Sequence, residues 1–464
     1  MNKMNRISLS ELYQEGKIEP TGAKPKLPVH FNGINSQTLR VCHIPLEYLY
    51  HNNNNGRIAT HSWSASSLVP QPGDSKYNDY FDRIIKEDDP KGLRDLQKSL
   101  KSKGQEEFGY VLNDGRVIDG NRRYTALREI QAQEGTTQYF EAVILPLNYE
   151  KSAEQEKIKK LELALQMGIE EKKPYDPVEL AVDIHRTCLP NKPYKDTDPL
   201  IVIDSDSEHN KHALMSIADY AEYANIAKKE VYRMYDGIIC VKYFLKYIGA
   251  PNTAYSIVKD SKTWSLFTSM ADHLRKFNVD DELGLAHLKE TMASYFAIIA
   301  VQMQIGVESN TLRTQIRDYG KRIVDNSRNK DFNDAILDLS DDLSDFLQDS
   351  SIKNYKELME SLESNYSKPN SQIKDIQNVF NESMDEAKTS RSIEDLVKQV
   401  KNNTQFFDNL RERNGLLGRL SYDEIERDQL LSLKDYTRKL NQITLALFDL
   451  YGQELQRKDD AANN

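Results

Sequence analysis

Cysteine is scarce in this chain. Cys42, Cys188 and Cys240 stand far apart, with no C-x-x-C pair and no zinc-ligand spacing. That speaks against a disulfide framework and a zinc module and favours buried free thiols. Long apolar runs are also missing. The most apolar stretch, 295–305, is short and is interrupted by Gln302 and Gln304, so it does not span a bilayer. MNKMNRISLSELYQEG at the start lacks the apolar centre of a secretory signal. The cytoplasm is the expected compartment, and no membrane partner is expected. Nor is there an excess of positive charge: the net charge is −10. Bulk charge does not draw such a chain to nucleic acid, so any DNA contact must come from a local basic surface.

What is present is a 464-residue chain with 39% hydrophobic and 29% charged residues. That composition suits an ordered protein, and the length is too great for one ordinary core. Two or three domains are expected.

The most informative stretch is 110–130, YVLNDGRVIDGNRRYTALREI. YVL and RVID read as short strands, with Asn113-Asp114-Gly115 as the hairpin turn between them. Asp119-Gly120 breaks the second strand. NRRYTALREI then opens a helix with Tyr124, Leu127 and Ile130 on its inner side. Gly120 thus falls at a strand-to-helix corner, with Arg122 and Arg123 in the first helical turn. The first turn of a helix offers unbonded N–H groups and partial positive charge. Glycine admits a phosphate close to the backbone, and arginine supplies fork-shaped donors. The pattern fits a phosphate site, or equally a surface helix whose arginines face water.

Around this corner the rest falls into place in order. Residues 1–38 are polar and read as a flexible N-terminal arm. LRVCHIPLEYLY from Leu39 is strand-like and turns at Pro45, and an Asn-rich loop and a Ser- and Pro-rich loop follow, through about residue 80. Lys91 to Lys103 has Leu93, Leu96 and Leu100 on one helical face, with Gly104 to end it. Tyr139 to Leu145 is a further buried strand, and Lys151 to Met167 is helical. Asp176-Pro177-Val178-Glu179 is a helix start, with an Asp cap and proline at the first position.

SIADYAEYANIAKKEVYRMYD, 216–236, reads as two helices joined at Ala224-Asn225. Ala221 is small where the helices would cross, Asn225 tolerates positive φ, and Val231 faces the core. This is a helix-turn-helix pattern, in which Lys228, Lys229, Tyr232 and Arg233 would face double-stranded DNA. A tight helical hairpin without DNA has the same spacing. Beyond Ile238 the chain reads as helical. Residues 331–352 hold seven Asp and no Lys or Arg, a solvated face. SNYSKPNSQ at 364–372 reads as a linker. Leu433, Tyr436, Leu440, Ile443, Leu447 and Leu450 alternate steps of three and four. That seam fits dimerisation or burial in a C-terminal bundle.

Taken together, 39–250 resembles the ParB partition-protein family, whose N-terminal domain is related to sulfiredoxin. The matching elements run in order: the strand VCHIPLEYL, a loop with Arg57, the helix LRDLQKSLKSKG, the hairpin, and G-x-R-R as Gly120-Asn121-Arg122-Arg123. The stretch before Asp176-Pro177 and the helix-turn-helix follow. The resemblance implies an α+β ParB/sulfiredoxin-like nucleotide-binding domain over 39–150. A helical helix-turn-helix DNA-binding domain over 151–278 and an all-α C-terminal region over 279–464 would follow. It implies a DNA clamp acting in partitioning, regulation or a mobile element. CTP or another nucleoside triphosphate, accompanied by Mg²⁺, would be held by Arg57, Asp119, Gly120, Asn121, Arg122 and Arg123, and the chain would be a homodimer. Two positions depart from the family. Asn121 stands where Glu is frequent. Gly168 and Ile169 stand where an acidic residue and an Asn serve the metal and nucleotide, leaving Glu170 and Glu171 as the nearby metal candidates. The corner lacks the cysteine that sulfinic acid reduction requires. Two other readings stay open. One is a nuclease or nucleotide hydrolase in defence against foreign DNA, a weak CTPase or metal-dependent nuclease with Asp119 orienting a water or metal. The other is a scaffold that has lost its chemistry.

Overall fold

Period-two alternation decides which side of the first sheet each strand residue faces. In the computed structural model, the described residues are 8–23, 39–53, 70–167, 175–189, 198–204, 213–306, 309–326, 328–388 and 427–462. The strands are β1 (Glu19–Pro20), β2 (Val41–Pro45), β3 (Tyr50–His51), β4 (Gly109–Leu112), β5 (Arg116–Asp119) and β6 (Tyr139–Leu145). They form one mixed sheet in the order β1-β2-β6-β4-β5-β3. β4 and β5 are the expected hairpin, antiparallel about the Asn113–Gly115 turn, while β4 runs parallel to β6.

Four helices come with the sheet: α1 (Leu9–Gln14), α2 (Tyr77–Asp88), α3 (Pro90–Lys103) and α4 (Asn121–Glu134). Cys42, Ile44, Val111, Val117, Phe140 and Ala142 point to one face and pack with Leu9 and Leu12 of α1 and Tyr124 and Leu127 of α4. Val41, Tyr110, Leu112, Ile118, Val143 and Leu145 point to the other. They meet Ile158, Leu161 and Leu165 of α5 (Ser152–Met167). The sheet is covered on both faces, and every residue of β4 and β5 is buried, the charged Arg116 and Asp119 included.

In chain order the helices after the sheet are α6 (Pro177–Thr187), α7 (Pro199–Ile203), α8 (Ile217–Ala224), α9 (Lys228–Tyr247), α10 (Ser256–Asp260) and α11 (Trp264–Leu274). Next come α12 (Glu282–Gln304), α13 (Ser309–Tyr319), α14 (Arg328–Gln348), α15 (Tyr355–Tyr366), α16 (372–388) and α17 (Arg427–Ala462). A two-stranded ladder, β7 (Cys188–Leu189) with β8 (Met215–Ser216), ties α6 to the start of α8. A small sheet first and helices afterwards is the order expected. No described helix is long and apolar enough to cross a membrane. The chain divides into two compact units, Met1–Asp385 and Glu386–Asn464.

Three sequence expectations change. The polar start is no loose arm over its described part, 8–23. Ser8 caps α1 through the N–H of Glu11, Leu9, Leu12 and Ile18 are buried, and the Leu9 N–H donates to Asn113 O at 2.8 Å. Asn113 also accepts from the Ser10 N–H at 2.8 Å. Helix α2 begins at Tyr77, inside the stretch read as loop, because Tyr77, Phe81, Ile84 and Ile85 form their own small core. The 364–372 stretch is a tight corner between α15 and α16. Buried Asn365 donates to Gln372 Oε1 at 2.8 Å and accepts from the Ser371 hydroxyl at 3.3 Å.

Candidate functional site

β5 ends at Asp119, and the chain turns through Gly120 into α4 with φ 97° and ψ 20°. That left-handed conformation suits glycine. A Cβ there would also lie 2.8 Å from Phe140 Cζ and 3.2 Å from Arg123 Nη2. Gly120→Ala is expected to lower stability by about 1–3 kcal/mol, read as a shifted urea midpoint; an unchanged midpoint would count against the strain argument. Gly120, at the N-cap position of α4, has no side chain with which to cap the helix.

The three residues after Gly120 do different work. Asn121 is buried. Its Nδ2 donates to Val117 O at 3.0 Å, and its Oδ1 lies 3.1 Å from His51 Nδ1. Arg123 is a brace: its Nη2 pairs with Asp119 Oδ2 at 3.1 Å, and its Nη1 donates to the Glu107 carbonyl. Arg122 is the accessible one. Its Nη2 meets Asp89 Oδ2 at 3.1 Å, and its Nε is buried without a hydrogen-bond partner. Asp89 is the N-cap of α3, its Oδ1 accepting from the Gly92 N–H at 2.9 Å. A Cβ at Gly92 would lie 2.7 Å from Arg122 Nη2. Arg122 therefore lies where the start of α3 meets the start of its own helix, in the field of two helix N-termini.

Sequence reasoning missed the support beneath this corner. His51 is fully buried, with Nε2 2.8 Å from Asp82 Oδ1. Asp82 Oδ2 accepts from Arg128 Nε at 2.7 Å, and Arg128 Nη2 reaches Asp79 at 2.7 Å. Asn78 accepts from the His51 N–H at 3.2 Å and donates to the Tyr124 hydroxyl. Burial works to raise the Asp82 pKa, but His51 and Arg128 outweigh it and hold the carboxyl below its ordinary value. These partners come from β3, α2 and α4, so no local motif announces them.

A second buried cluster lies below the far face of the sheet. Lys159 of α5 is 2.6 Å from Asp183 of α6 and 3.6 Å from Glu162. Asp183 also accepts from the Tyr220 hydroxyl of α8 at 2.7 Å. Burial pushes the Glu162 carboxyl up to about 7; Lys159 opposes the shift, and Asp183 and Asp119 reinforce it. Two other buried carboxyls, Glu179 and Asp236, are likewise pushed up to about 7 by burial.

A carboxyl whose folded pKa exceeds its unfolded value near 4 holds its proton more tightly when folded. Its penalty on folding is absent below the unfolded value and complete above about 7. The lowered carboxyls Asp82, Asp204 and Asp325 lose their contribution only at more acid pH. The melting temperature is therefore expected to rise by several degrees as pH falls from about 8 to about 5.5. A flat or falling profile over that window would contradict these assignments.

The helix pair forms as expected. Asn225 has φ 54°, the Ile226 N–H donates to Ala221 O at 3.0 Å, and Val231 is buried. Lys228 and Lys229 are exposed at the start of α9. Tyr232 is not a reading residue: it is 3% exposed, because beyond its first turn α9 is buried against both α6 and α11. Arg233 is half-buried and committed within the chain, to Thr268 Oγ1 at 3.2 Å and Asp272 Oδ2 at 3.5 Å. The structure thus brings Asp119, Asn121, Arg122 and Arg123 together at one corner and leaves two lysines at the other candidate surface. Arg57, Gly168, Ile169, Glu170 and Glu171 lie outside the described residues. Among the described residues, no group of three or more His, Cys, Asp or Glu could hold a metal ion. No family model, no curated protein and no solved structure matches this chain.

Proposed function

We propose that the protein is a ParB-like, nucleotide-responsive DNA-binding protein, and that the Gly120–Arg123 corner takes the phosphates of a nucleoside triphosphate, CTP first among them. The observation that supports this reading is the position of Arg122 between two helix starts, next to a left-handed glycine and an uncapped helix. Those features supply backbone donors, a close approach and a fork-shaped cation for a phosphate. Arg123 and Asn121 keep the corner in shape beneath it. Asp119 is engaged by Arg123, so Mg²⁺ would arrive bound to the triphosphate rather than on that carboxylate. Calorimetric titration with the four ribonucleoside triphosphates tests the ligand.

For double-stranded DNA, the supporting features are the Asn225 turn and the exposed Lys228 and Lys229 at the start of α9. Two lysine contacts imply a slope of log affinity against log salt of about −2 per chain. Lys228→Ala with Lys229→Ala is expected to remove most of that slope, measured by fluorescence anisotropy on a random duplex. Binding that keeps its slope would move the DNA surface elsewhere.

Association with a second copy is the remaining part of the reading. Helix α17 spans 36 residues, and Leu440, Ile443 and Leu450 of the heptad seam are exposed on it. Ile443 is 56% and Phe448 75% exposed. Ile443→Asp with Leu450→Asp is expected to convert dimer to monomer in sedimentation equilibrium; a wild-type monomer would contradict the seam's use.

A further inference from the structure

The point where α2 gives way to α3 faces two ways, through Asp88 at the end of α2 and Asp89 between the two helices. Asp89 gives one carboxylate oxygen to the Gly92 N–H at 2.9 Å and the other to Arg122 Nη2 at 3.1 Å. Asp88, one residue earlier, meets Lys259 Nζ of α10 at 3.2 Å, and the same ammonium meets Glu179 of α6 at 2.6 Å. Burial works to lower the Lys259 pKa, but Glu179 and Asp88 outweigh it and raise it, so this amine is held as a cation. One short connection thus ties the corner arginine to the helices that follow the sheet.

We propose that Asp89 is an internal anion that occupies Arg122 in place of phosphate, so that the site is latched until a more highly charged ligand displaces it. The inference rests on the phosphate reading of the corner and adds its regulation. A carboxylate and a phosphate oxygen make the same charge-assisted contact with a guanidinium nitrogen. Asp89 and Arg122 are 26% and 27% exposed, so water and ligand reach the pair and exchange needs no unfolding. A triphosphate presents several oxygens and more charge than one carboxylate. It would take Arg122 together with the amides at the start of α4, whereas a single-charged anion would leave Asp89 in place. Asp89 released from Arg122 still caps α3. The release of Asp89 is felt next door at Asp88, whose ion pair with Lys259, shared with Glu179, lets the helices after the sheet register that the corner is filled. The latch thereby discriminates against weakly charged anions and signals occupancy.

Asp89→Asn separates the two jobs of this side chain. Asparagine caps a helix as well as aspartate does, but it brings no negative charge to Arg122. Full-length wild type and variant are titrated with CTP and, separately, with inorganic triphosphate at fixed salt, and their melting temperatures are compared. The variant is expected to fold as the wild type does and to bind both probes about tenfold more tightly. Asp89→Ser, another capping residue, is expected to behave the same way. Equal or weaker binding by both folded variants, with the wild type binding, overturns the latch and leaves the phosphate site standing. No binding of either probe by any of the three proteins overturns the site and the latch together. Hydrogen exchange supplies the second readout. Adding CTP to wild type is expected to change amide exchange over α10, Ser256–Asp260, and Lys259→Met is expected to abolish that change. Exchange over α10 that does not respond to bound CTP overturns the transmission.

Discussion

Arg122→Ala is expected to weaken triphosphate binding about 10- to 150-fold while leaving the fold intact. A charge-assisted hydrogen bond from a guanidinium is worth about 1.5–3 kcal/mol, and each 1.4 kcal/mol is tenfold in affinity. The Arg122–Asp89 pair is partly exposed, so its loss costs the folded chain less than about 1 kcal/mol. Arg123→Ala is a different experiment. The Arg123–Asp119 pair is nearly closed from solvent, its side chains 12% and 10% exposed. Removing the arginine strands a buried carboxylate and lowers stability before it reports on ligand. Arg122→Lys restores the charge without the fork and is expected to recover only part of the affinity. Calorimetry with a parallel melting curve separates these cases. An Arg122→Ala protein that binds as the wild type does would remove Arg122 from the site.

Lys159→Met is expected to carry a large stability effect. Lys159, Glu162 and Asp183 are all buried, the ammonium lies within 3.6 Å of both carboxyls, and Arg186 is a second cation in their field. Burial alone would lower the Lys159 pKa, yet Asp183 and Glu162 outweigh it and raise it. Breaking a buried pair by removing one partner costs about 3–5 kcal/mol, because the remaining charge is left uncompensated. Glu162 is already pushed towards its neutral form, so protonating it recovers part of the loss, and the variant is expected to be less impaired at low pH. A urea midpoint for Lys159→Met within about 1 kcal/mol of wild type would show that the cluster is wetter than its burial implies.

Local chemistry made several features legible before any coordinates. The Asn113–Gly115 hairpin, the Gly120 corner, the Asp176-Pro177 helix start and the Asn225 turn each depend on residues within a few positions of one another. All four stand as read. The capping pattern Ser8-x-x-Glu11 and the i, i+3 pair Leu9 and Leu12 also announced α1, but the polar residues around them hid it. His51 was out of reach for a different reason. Its partners Asp82 and Asn121 lie 31 and 70 positions away, and only the folded sheet brings them together. The error at Tyr232 has a third cause. A recognition-helix reading assigns residues after the turn to solvent. Helix α9 runs for 20 residues and is buried on two sides, so its aromatic residues serve the core. Arg122 and Arg123 were adjacent and looked alike in sequence; one turned out to be a brace and the other the accessible cation, a distinction that depends on Asp89, Asp119 and Glu107 arriving from other elements.

The most direct measurement is a calorimetric titration of the full-length protein with CTP and Mg²⁺, repeated with the other three ribonucleoside triphosphates. The phosphate reading predicts saturable binding of at least one of them, at one site per chain, weakened in Arg122→Ala and strengthened in Asp89→Asn. Absence of binding for all four, with the protein folded by its melting curve, would contradict it.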